Sequence, residues 1–373
     1  MNAPADGDGG NGRVSADTVE ALCERLKRNA IAGIWREQTR ARLDSLTKPL
    51  GSLGKLEEVA AQFVMAREEA EPALRNPAVY VFAGDHEVVK EGVSAYPSEV
   101  TGQMVENFLT GGAAVNVLAR AADVEVRIID VGVACDLGAS ARLIDRKVRR
   151  GARNFLRESA MTEAEMRSAL EAGFEQAREA VSAKRNLVIA GEMGIGNTTA
   201  ATAITVALTG AAAREVAGAG AGLSGEGVAR KAAVVEQSLE RCFGATGRAD
   251  VSPLEVLRCV GGLEIAGMTG LILKAASERI VVVLDGFISS AAGAIAFTLA
   301  PEIRPFLMAG HESAEPGHGK LLRYMKLDPI LNLGMRLGEG TGALLATFVI
   351  RSALGIYNEM ATFESAGVSG ANG

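Results

Sequence analysis

Short β-branched and apolar runs recur along this chain, and each run ends in a glycine beside an acid or a histidine. Five of them read AVYVFAGDH, VEVRIIDVG, NLVIAGEMG, IVVVLDGF and RPFLMAGHE. Long alanine-rich stretches, with apolar residues at helical spacing, lie between them. This alternation is typical of βαβ units, in which helices cover both faces of a parallel sheet. The sequence therefore predicts an α/β fold with a mainly parallel sheet flanked by helices.

The polar residues at the ends of these runs are expected to converge. Ligands of open α/β sheets bind in the crevice outside the carboxyl ends of the strands. The pattern therefore places six side chains at one crevice, namely Asp85, His86, Asp130, Glu192, Asp285 and His311. For any one of them, a cap on the following helix is an equally good interpretation.

The two ends of the chain carry helical patterns that have no strand partner. They occupy residues 17–75 and 336–363, and we expect them to pack together as a smaller helical domain. Residues 76–335 then form the large α/β catalytic domain. Residues 1–16 and 364–373 contain many small and polar residues, and we predict disordered tails there.

Composition and charge exclude several classes of function. The chain has 39 Lys and Arg against 45 Asp and Glu, and no basic stretch is interleaved with aromatic residues as in a nucleic-acid groove. The most apolar window, residues 280–300, contains Asp285, Gly286 and two serines, which a membrane-spanning helix tolerates poorly. The N-terminus lacks the basic start and apolar block of a signal peptide. We therefore expect a cytoplasmic protein with no nucleic-acid partner and no membrane insertion.

The four cysteines are Cys23, Cys135, Cys242 and Cys259. They are far apart in the sequence and form no CxxC pair. We expect four single core thiols in a reducing compartment.

A glycine loop joins the third run to the next helix. From Gly191 it reads G-x-x-x-x-G-N-T, which matches a P-loop except that Asn197 replaces the lysine. Without that lysine no cation reaches the β- and γ-phosphates of ATP, yet backbone N–H groups and a helix N-terminus can still bind one phosphate. The loop therefore favours a monophosphate. A tight turn with Thr198 or Thr199 as the helix N-cap is the alternative.

A second glycine cluster, VAGAGAGLSGEGVARK, leads into a helix with Lys231 near its start. A cation is unfavourable at the positive end of a helix dipole, so this position favours a lysine that faces an anion. A solvated lysine is the alternative.

The histidines raise the question of a metal. The segment AGHESAEPGH places His311, Glu315 and His318 close together, and two imidazoles with a carboxylate can ligate zinc. Glycine and proline interrupt this segment, so it lacks the i, i+4 spacing of a helical HExxH motif. We therefore predict no metal.

Eight blocks, in order and from about Asp44 to Ala346, resemble the nicotinate-nucleotide:dimethylbenzimidazole phosphoribosyltransferases. They are TKPLGSLGKLE, AGDHEVVKEGVSAYPSEVT, GGAAVNVLAR, GEMGIGNTTAA, VGGLEIAGMTGLIL, LDGFISSAA, HESAEPGH and MRLGEGTGALLA. The resemblance implies transfer of the phosphoribosyl group of nicotinate mononucleotide to 5,6-dimethylbenzimidazole or a related base. The products are α-ribazole 5′-phosphate and nicotinate. It also implies a Rossmann-like domain with a small helical domain, in a homodimer without a metal or redox cofactor.

The resemblance also implies roles for individual residues. Glu339 of RLGEG is the expected general base, and Glu192 is a second acid near the ribose and the leaving nicotinate. Four residues resemble the family's phosphate contacts, namely Gly194, Gly220, Lys231 and Ser313, beside Asn197 and Thr198 of the loop. Four lie in the block that resembles the base pocket, namely Asp85, His86, Tyr96 and Gln103.

The residues around Glu339 support the base role independently. The donor carries a pyridinium leaving group that departs without a proton, whereas the attacking ring nitrogen must lose one, so a single carboxylate suffices. An acid at the start of the helix TGALLATFVI, favoured by its dipole, is the alternative for Glu339. Glu87 and Ser98 depart from the family pattern in the base-binding block, which leaves the preferred base open.

Two other classes of function compete with this interpretation. One is a metal-dependent hydrolase of phosphate or glycosidic bonds built on His311, Glu315 and His318. The other is a nucleotide-binding protein that uses the glycine loops without catalysis. Neither requires the RLGEG block.

Overall fold

The computed structural model describes residues 17–244 and 251–369. Six strands in these ranges form one sheet: β1 Ala78–Gly84, β2 Glu125–Gly132, β3 Leu143–Asp145, β4 Leu187–Met193, β5 Val281–Leu284 and β6 Leu307–Ala309. The helices in these ranges are α1 Val19–Arg28, α2 Gly33–Ser45, α3 Lys55–Arg67, α4 Glu99–Thr110, α5 Ala114–Ala122, α6 Glu163–Ser182, α7 Asn197–Thr209, α8 Ala213–Val216, α9 Gly225–Phe243, α10 Pro253–Val260, α11 Leu263–Ser277, α12 Phe287–Leu299, α13 His318–Tyr324, α14 Thr341–Glu359 and α15 Phe363–Ala366. Two 3₁₀ helices span Glu87–Glu91 and Pro301–Phe306.

All strand pairs of the sheet are parallel, and the strand order is β3-β2-β1-β4-β5-β6. The order of strands reverses between β1 and β4, where Val81 of β1 pairs with Ile128 on one side and with Gly191 on the other. This is the strand order of a Rossmann-type doubly wound sheet, whose crevice opens at that reversal. The predicted α/β fold and its five strands are confirmed.

Strand β3 was not predicted. It is a three-residue edge strand whose residues are half-buried or exposed, so it lacks the buried apolar run that marked the other five. Tertiary pairing with β2 makes it a strand.

The centre of the molecule is the sheet and the helix behind it. All seven residues of β1 and all fifteen of α11 are buried. Helix α11 packs closely on α6 because glycines face each other there: a Cβ added at Gly173 would collide with the carbonyl of Gly267. Small residues let two helix backbones approach, which explains why these alanine- and glycine-rich segments form one layer.

Helices from the two ends of the chain pack together. Helix α14 contacts α3 and α5, and Arg42 of α2 donates hydrogen bonds of 2.9 Å to the carbonyls of Tyr357 and Met360. These contacts agree with the predicted association of residues 17–75 and 336–363. The division of the chain into a small helical domain of these residues and a large domain of residues 76–335 stays a prediction.

The predicted tails lie mostly outside the described residues, which exclude 1–16 and 370–373. Helix α15 begins at Phe363 and ends at Ala366, so the C-terminal tail does not begin at residue 364 as predicted. Thr362 caps this helix by accepting a hydrogen bond from the Ser365 N–H. The composition of this segment did not indicate the capping pattern. Within the described ranges, every helix is too short or too polar to cross a membrane.

Candidate active site

A cavity of about 640 Å³ opens at the carboxyl ends of the strands, where the sequence predicted a crevice. Its walls come from six segments: residues of Val93–Met104 after β1, Glu192–Thr198 at the end of β4 and start of α7, Ala219–Ala221 with Lys231 of α9, Gly286–Ile288 after β5, the His311, Ser313 and Glu315 loop after β6, and Arg336–Glu339 before α14. Parallel strands bring these loops to one edge even though they are far apart in the sequence.

Glu339 lies on this wall in a backbone conformation that is rare for a residue with a side chain. Its φ is 62°, between Gly338 with φ 87° and Gly340 with φ 86°. Three left-handed residues in succession make a sharp turn that the flanking glycines permit at little cost, whereas Glu339 is strained. A Cβ at Gly340 would collide with Val79 of β1, so the turn packs directly on the sheet.

The carboxylate of Glu339 belongs to a residue that is only 4% exposed. Its Oε2 accepts a 3.3 Å hydrogen bond from the backbone N–H of Val115, in the first turn of α5. Burial raises the pKa of Glu339, the Val115 N–H acts in the opposite direction, and the charge of Asp285 raises it further. The hydrogen bond is with α5, whereas the predicted alternative, an acid favoured by the dipole of α14, stays untested. A buried carboxylate of raised pKa is suited to accept a proton.

Glu192 is the second buried acid of the cavity. It lies near the end of β4, and its Oε2 accepts a hydrogen bond from the Asn197 side-chain amide. Burial and the charges of Asp285, Glu264 and Glu339 raise the pKa of Glu192 to about 8. Near pH 7 this side chain is therefore mostly a neutral acid that can donate a hydrogen bond.

Asp285 supports the turn that carries Glu339. Its two carboxylate oxygens accept hydrogen bonds from the N–H groups of Gly340, at 3.2 Å, and Ala343, at 2.9 Å. His311 Nε2 lies 3.7 Å from the Asp285 carboxylate. Asp285 thus binds the start of α14 and does not cap α12, the helix that directly follows β5, so the predicted cap on the following helix is wrong for this residue.

The cavity wall also includes one buried lysine. Lys231 is 1% exposed, and its Nζ donates hydrogen bonds to Thr198 Oγ1, at 3.1 Å, and to the Gly218 carbonyl, at 3.0 Å. Burial lowers the pKa of Lys231 to about 8, while Glu315 raises it. The predicted solvated lysine is wrong: this side chain faces the cavity.

The two glycine clusters meet at this cation. Gly220 has φ 55°, and a Cβ there would lie 3.0 Å from Thr198 Oγ1 and 3.3 Å from Lys231 Nζ, so a side chain would fill the space beside both donors. Helix α7 begins at Asn197 with Gly196 as its N-cap, so Thr198 and Thr199 lie inside the helix and neither is the cap. A helix N-terminus, a hydroxyl and an ammonium group together suit one phosphate.

The segment considered for a metal is organised by hydrogen bonds. His318 Nε2 is paired with the Ser290 hydroxyl at 2.9 Å, and its Nδ1 accepts from the Ser313 N–H at 2.8 Å. Burial lowers the pKa of His318 to about 3. Glu315 accepts from the Gly220 N–H at 3.0 Å and so braces the second glycine loop. In residues 17–244 and 251–369, no group of three or more histidine, cysteine or acidic side chains is arranged to hold a metal ion.

An apolar wall lies beside the acids. Val93, Tyr96, Val100 and Met104 line the cavity, and Tyr96 is 50% exposed at this wall. Glu87 and Ser98, which depart from the family pattern, are not part of the lining.

Three predicted base contacts are not on the cavity wall. Gln103 is exposed on α4, and Asp85 Oδ2 accepts from the Ala134 N–H at 2.8 Å. His86 is fully buried and paired with Glu264 at 2.7 Å. We correct this part of the prediction, because the chain turns inward after β1, and Asp85 and His86 lie beneath the Gly194–Gly196 loop. A Cβ at Gly196 would lie 3.2 Å from His86 Cβ.

Asp130 is likewise absent from the cavity wall. It accepts hydrogen bonds from the N–H groups of Gly132, at 3.0 Å, and Val133, at 2.9 Å, and Lys147 Nζ lies 3.2 Å from it. Its role is to fix the turn after β2.

Two residues of the site were missed. Arg336 lines the cavity and donates a 2.6 Å hydrogen bond to the Gly220 carbonyl, so it links the Glu339 turn to the glycine loop. Glu264 pairs with His86 behind the cavity. The RLGEG block contained Arg336, and its position three residues before the acid was the available signal. Glu264 occurs in the resembling block VGGLEIAGMTGLIL, and a lone acid in this mostly apolar stretch was the available signal.

Comparisons with known proteins agree with this geometry. A family model described as phosphoribosyltransferase matches residues 30–368. The nicotinate-nucleotide–dimethylbenzimidazole phosphoribosyltransferase of Roseiflexus castenholzii is 50% identical over 331 residues, covering 88% of this chain and 92% of that protein. The protein of the same name from Geobacter sp. strain M21 is 49% identical over 332 residues, covering 89% and 94%.

Solved structures give the same result. The crystal structure of CobT from Thermus thermophilus superposes with a TM-score of 0.86 at 47% identity, covering 90% of this chain and 99% of that one. On the strength of the family match, these identities and the shared fold, the chain belongs to the phosphoribosyltransferase family that includes the nicotinate-nucleotide–dimethylbenzimidazole phosphoribosyltransferases.

Proposed function

We propose that this protein transfers the phosphoribosyl group of nicotinate mononucleotide to 5,6-dimethylbenzimidazole or a related base. The products are α-ribazole 5′-phosphate and nicotinate. The observation that carries the proposal is the cavity itself, whose wall contains both a buried carboxylate of raised pKa, Glu339, and a buried cation, Lys231. The names of relatives at about half identity over most of the chain support the same reaction.

The reaction needs one base and no acid. The benzimidazole nitrogen attacks C1′ of the ribose as the C1′–pyridinium bond breaks, and the electron pair of that bond returns to the ring nitrogen of nicotinate. The attacking ring then loses its N–H proton, which Glu339 accepts. Attack on the face opposite the leaving group converts the β-configured donor into an α-configured product.

Lys231, Thr198 and the backbone around Gly194 and Gly220 hold the donor phosphate in this proposal, with Ser313 and Asn197 at the edge of the same site. The ammonium and hydroxyl groups already meet at 3.1 Å, so they are organised before substrate arrives. Such pre-ordering reduces the entropy cost of binding. A monophosphate contacts one such cluster, whereas ATP requires the lysine that Asn197 replaces.

Glu192, as a mostly neutral acid near pH 7, donates a hydrogen bond to the donor near the ribose and the leaving group. The Asn197 amide that binds its other oxygen fixes its orientation. The apolar wall of Val93, Val100 and Met104 with Tyr96 accepts the flat face of the base, since an aromatic ring stacks well on a benzimidazole.

The proposal includes a homodimer located in the cytoplasm. Tyr96 and Leu337 are 50% and 57% exposed beside the cavity, and apolar side chains at a cavity mouth are well placed for contact with a second subunit. Free thiols at all four cysteines are compatible with a reducing compartment. Light scattering coupled to size exclusion, at several protein concentrations, measures the subunit count directly.

A single incubation tests the reaction. The purified protein is mixed with nicotinate mononucleotide and a panel of benzimidazoles, purines and phenols, and mass spectrometry measures free nicotinate and the new ribotide. We expect both products in equal amounts with at least one base, and a strong loss in Glu339→Gln but not in Glu240→Gln, an exposed glutamate of α9. Donor binding without nicotinate release would instead identify a non-catalytic nucleotide-binding protein.

A further inference from the structure

A buried pair of ionisable side chains lies beneath the glycine loop at residues 194–196. His86 Nε2 is 2.7 Å from Glu264 Oε1, and both side chains are completely shielded from solvent. Neither residue lines the cavity, so the proposed reaction gives the pair no role. Within the described residues, His86 Nδ1 and Glu264 Oε2 have no hydrogen-bond partner. Burial of such a pair is costly and adds little stability, so stability alone does not explain it.

The two side chains lie in layers below the loop. A Cβ added at Gly196 would lie 3.2 Å from His86 Cβ, so the histidine is in direct contact with the loop. A Cβ added at Gly194 would collide with the Gly84 carbonyl, and Glu264 Oε2 lies on the other side of Gly84, 3.2 Å from a Cβ built there. Glu264 is also bonded to Nε2, across the imidazole ring from Cβ. The imidazole therefore lies between the loop and the carboxylate.

The surroundings favour the charged form of both partners. Glu264 is in the first turn of α11, where the helix dipole stabilises an anion. Burial lowers the pKa of His86, but the carboxylates of Glu264 and Asp85 act in the opposite direction, and the net effect raises it. These influences favour a positive His86 close to the loop and a negative Glu264 farther from it.

We propose, on the basis of the proposed function, that His86 and Glu264 form an oriented ion pair that strengthens binding of the donor phosphate to the loop above them. Attraction and repulsion both weaken with distance. A phosphate on the loop is therefore attracted by the nearer imidazolium more than it is repelled by the farther carboxylate. Neither side chain touches the donor, so both are positioning residues that act through the loop.

Isosteric variants separate the charge of the pair from its packing. His86→Gln keeps an amide near the position of Nε2, and Glu264→Gln keeps the size of the carboxylate, so each fills the space beneath the loop without an ion pair. We expect each to weaken binding of nicotinate mononucleotide by about three- to tenfold, whereas the KM for the base should change little. The double variant should bind no more weakly than the single variants, because the two charges act as one unit.

Calorimetric titration with nicotinate mononucleotide measures the donor Kd without turnover. Glu179→Gln is the matched control, since it neutralises the pair with Arg185, whose side chain is 5% exposed before the start of β4, at the opposite edge of the sheet. This control should leave the donor Kd unchanged. If the neutral variants bind the donor as tightly as the wild type, the ion pair has no such role. Donor binding by the wild type without release of nicotinate would contradict the proposed function instead, and the comparison of Kd values would still decide on the pair.

Nuclear magnetic resonance measures the charge of His86 directly. The chain contains three histidines, His86, His311 and His318, so labelling with ¹³C-histidine gives three Cε1 signals, and the signal lost in His86→Gln is that of His86. We expect the His86 signal at pH 7 to have the chemical shift of an imidazolium. A neutral imidazole at His86 would overturn the proposal. Three neutral histidines in the wild type would do the same, and that result needs no variant to fold.

Discussion

The acids and the lysine of the site bury charge in opposite ways. Glu192, Glu339 and Asp285 are buried acids, and burial raises the pKa of all three; the charge of Asp285 raises the pKa of Glu192 and Glu339 further. Lys231 is a buried cation, bonded to neutral oxygens of Thr198 and Gly218 with Glu315 nearby. Acids whose pKa is raised can exchange protons, whereas a cation bonded to neutral partners can bind an anion without reacting. The comparison predicts that the acids and the lysine affect different kinetic constants.

Glu339→Gln should have the largest effect. The amide keeps the shape of the side chain and its hydrogen bond from Val115, but it cannot accept the proton of the base. Removal of a general base typically costs ~10²- to 10⁴-fold in rate, so kcat should fall by that factor while the donor KM changes little. Steady-state kinetics with dimethylbenzimidazole measures both constants.

A phenolic acceptor sharpens this test. A phenol that is already ionised at high pH needs no base, so it should partly rescue Glu339→Gln where a benzimidazole cannot. Wild-type kcat should also fall at acid pH as Glu339 is protonated, and Glu339→Gln should lack this decline. A mutant with near wild-type kcat would assign the base role to Glu192.

Lys231→Ala should raise the donor KM and change kcat little. A charge-assisted hydrogen bond to a phosphate that does not react stabilises the ground state and the transition state alike. We expect the donor KM to rise by about 10- to 100-fold with a small change in kcat, and Lys27→Ala, at an exposed lysine of α1, to change neither. A collapse of kcat at unchanged KM would contradict the anchor.

The pH dependence of donor binding tests the same lysine. Because the pKa of Lys231 is lowered to about 8, the free protein loses this charge as pH rises through that value. The kcat/KM for the donor should therefore decline above about pH 8 in the wild type, and Lys231→Ala should lack this limb. A decline of equal size in both proteins would assign it to another group.

Glu192→Gln should have a smaller effect on the kinetic constants than Glu339→Gln or Lys231→Ala. With a pKa of about 8, Glu192 is already neutral near pH 7, and glutamine resembles a protonated glutamate, so kcat at pH 7 should stay within a few-fold of wild type. A hundredfold loss would show that the ionised form is required.

Stability gives an independent measure of Glu192. Its pKa rises from 4.5 to about 8 on folding, so between these values the unfolded chain has lost a proton that the folded protein keeps. The free energy of unfolding therefore falls as pH rises through this window. Thermal unfolding from pH 5 to 9 should show a shallower decline in Glu192→Gln than in the wild type; parallel curves would contradict the raised pKa.

Asn197→Lys should create no ATPase activity. The lysine would restore the P-loop motif, but Asn197 donates to Glu192 inside the cavity, and the neighbouring loops are shaped by Lys231 and Gly220. Phosphate release from ATP by the wild-type protein or the variant would contradict a monophosphate site.

The sequence predicted the sheet better than the site. Buried apolar runs specify β1, β2, β4, β5 and β6 because parallel strands are covered on both faces. Strand β3 was not predicted because it forms by pairing with β2 and has no buried apolar run. Six polar side chains at the strand ends were predicted to converge on one crevice, and of these only Glu192 and His311 line the cavity. Which side chain reaches the cavity depends on the turn after each strand: Glu192 faces the cavity, whereas His86 turns under a glycine loop to meet Glu264.

The remaining omissions share one physical cause. The contacts of Arg336 with Gly220 and of Glu339 with Val115 join residues that are 116 and 224 positions apart. Local propensity carries no information on such pairs.

The hydrogen bond between Val115 and Glu339 has a consequence for synthesis of the protein. During translation, the glycine loops, Lys231 and all six strands are made before the turn at residues 338–340. The proposed proton acceptor, Glu339, is therefore among the last parts of the site to be synthesised. Helix α14 then packs on α3 and α5 and brings the last segment against the first half of the chain. A product truncated before residue 339 would lack this carboxylate.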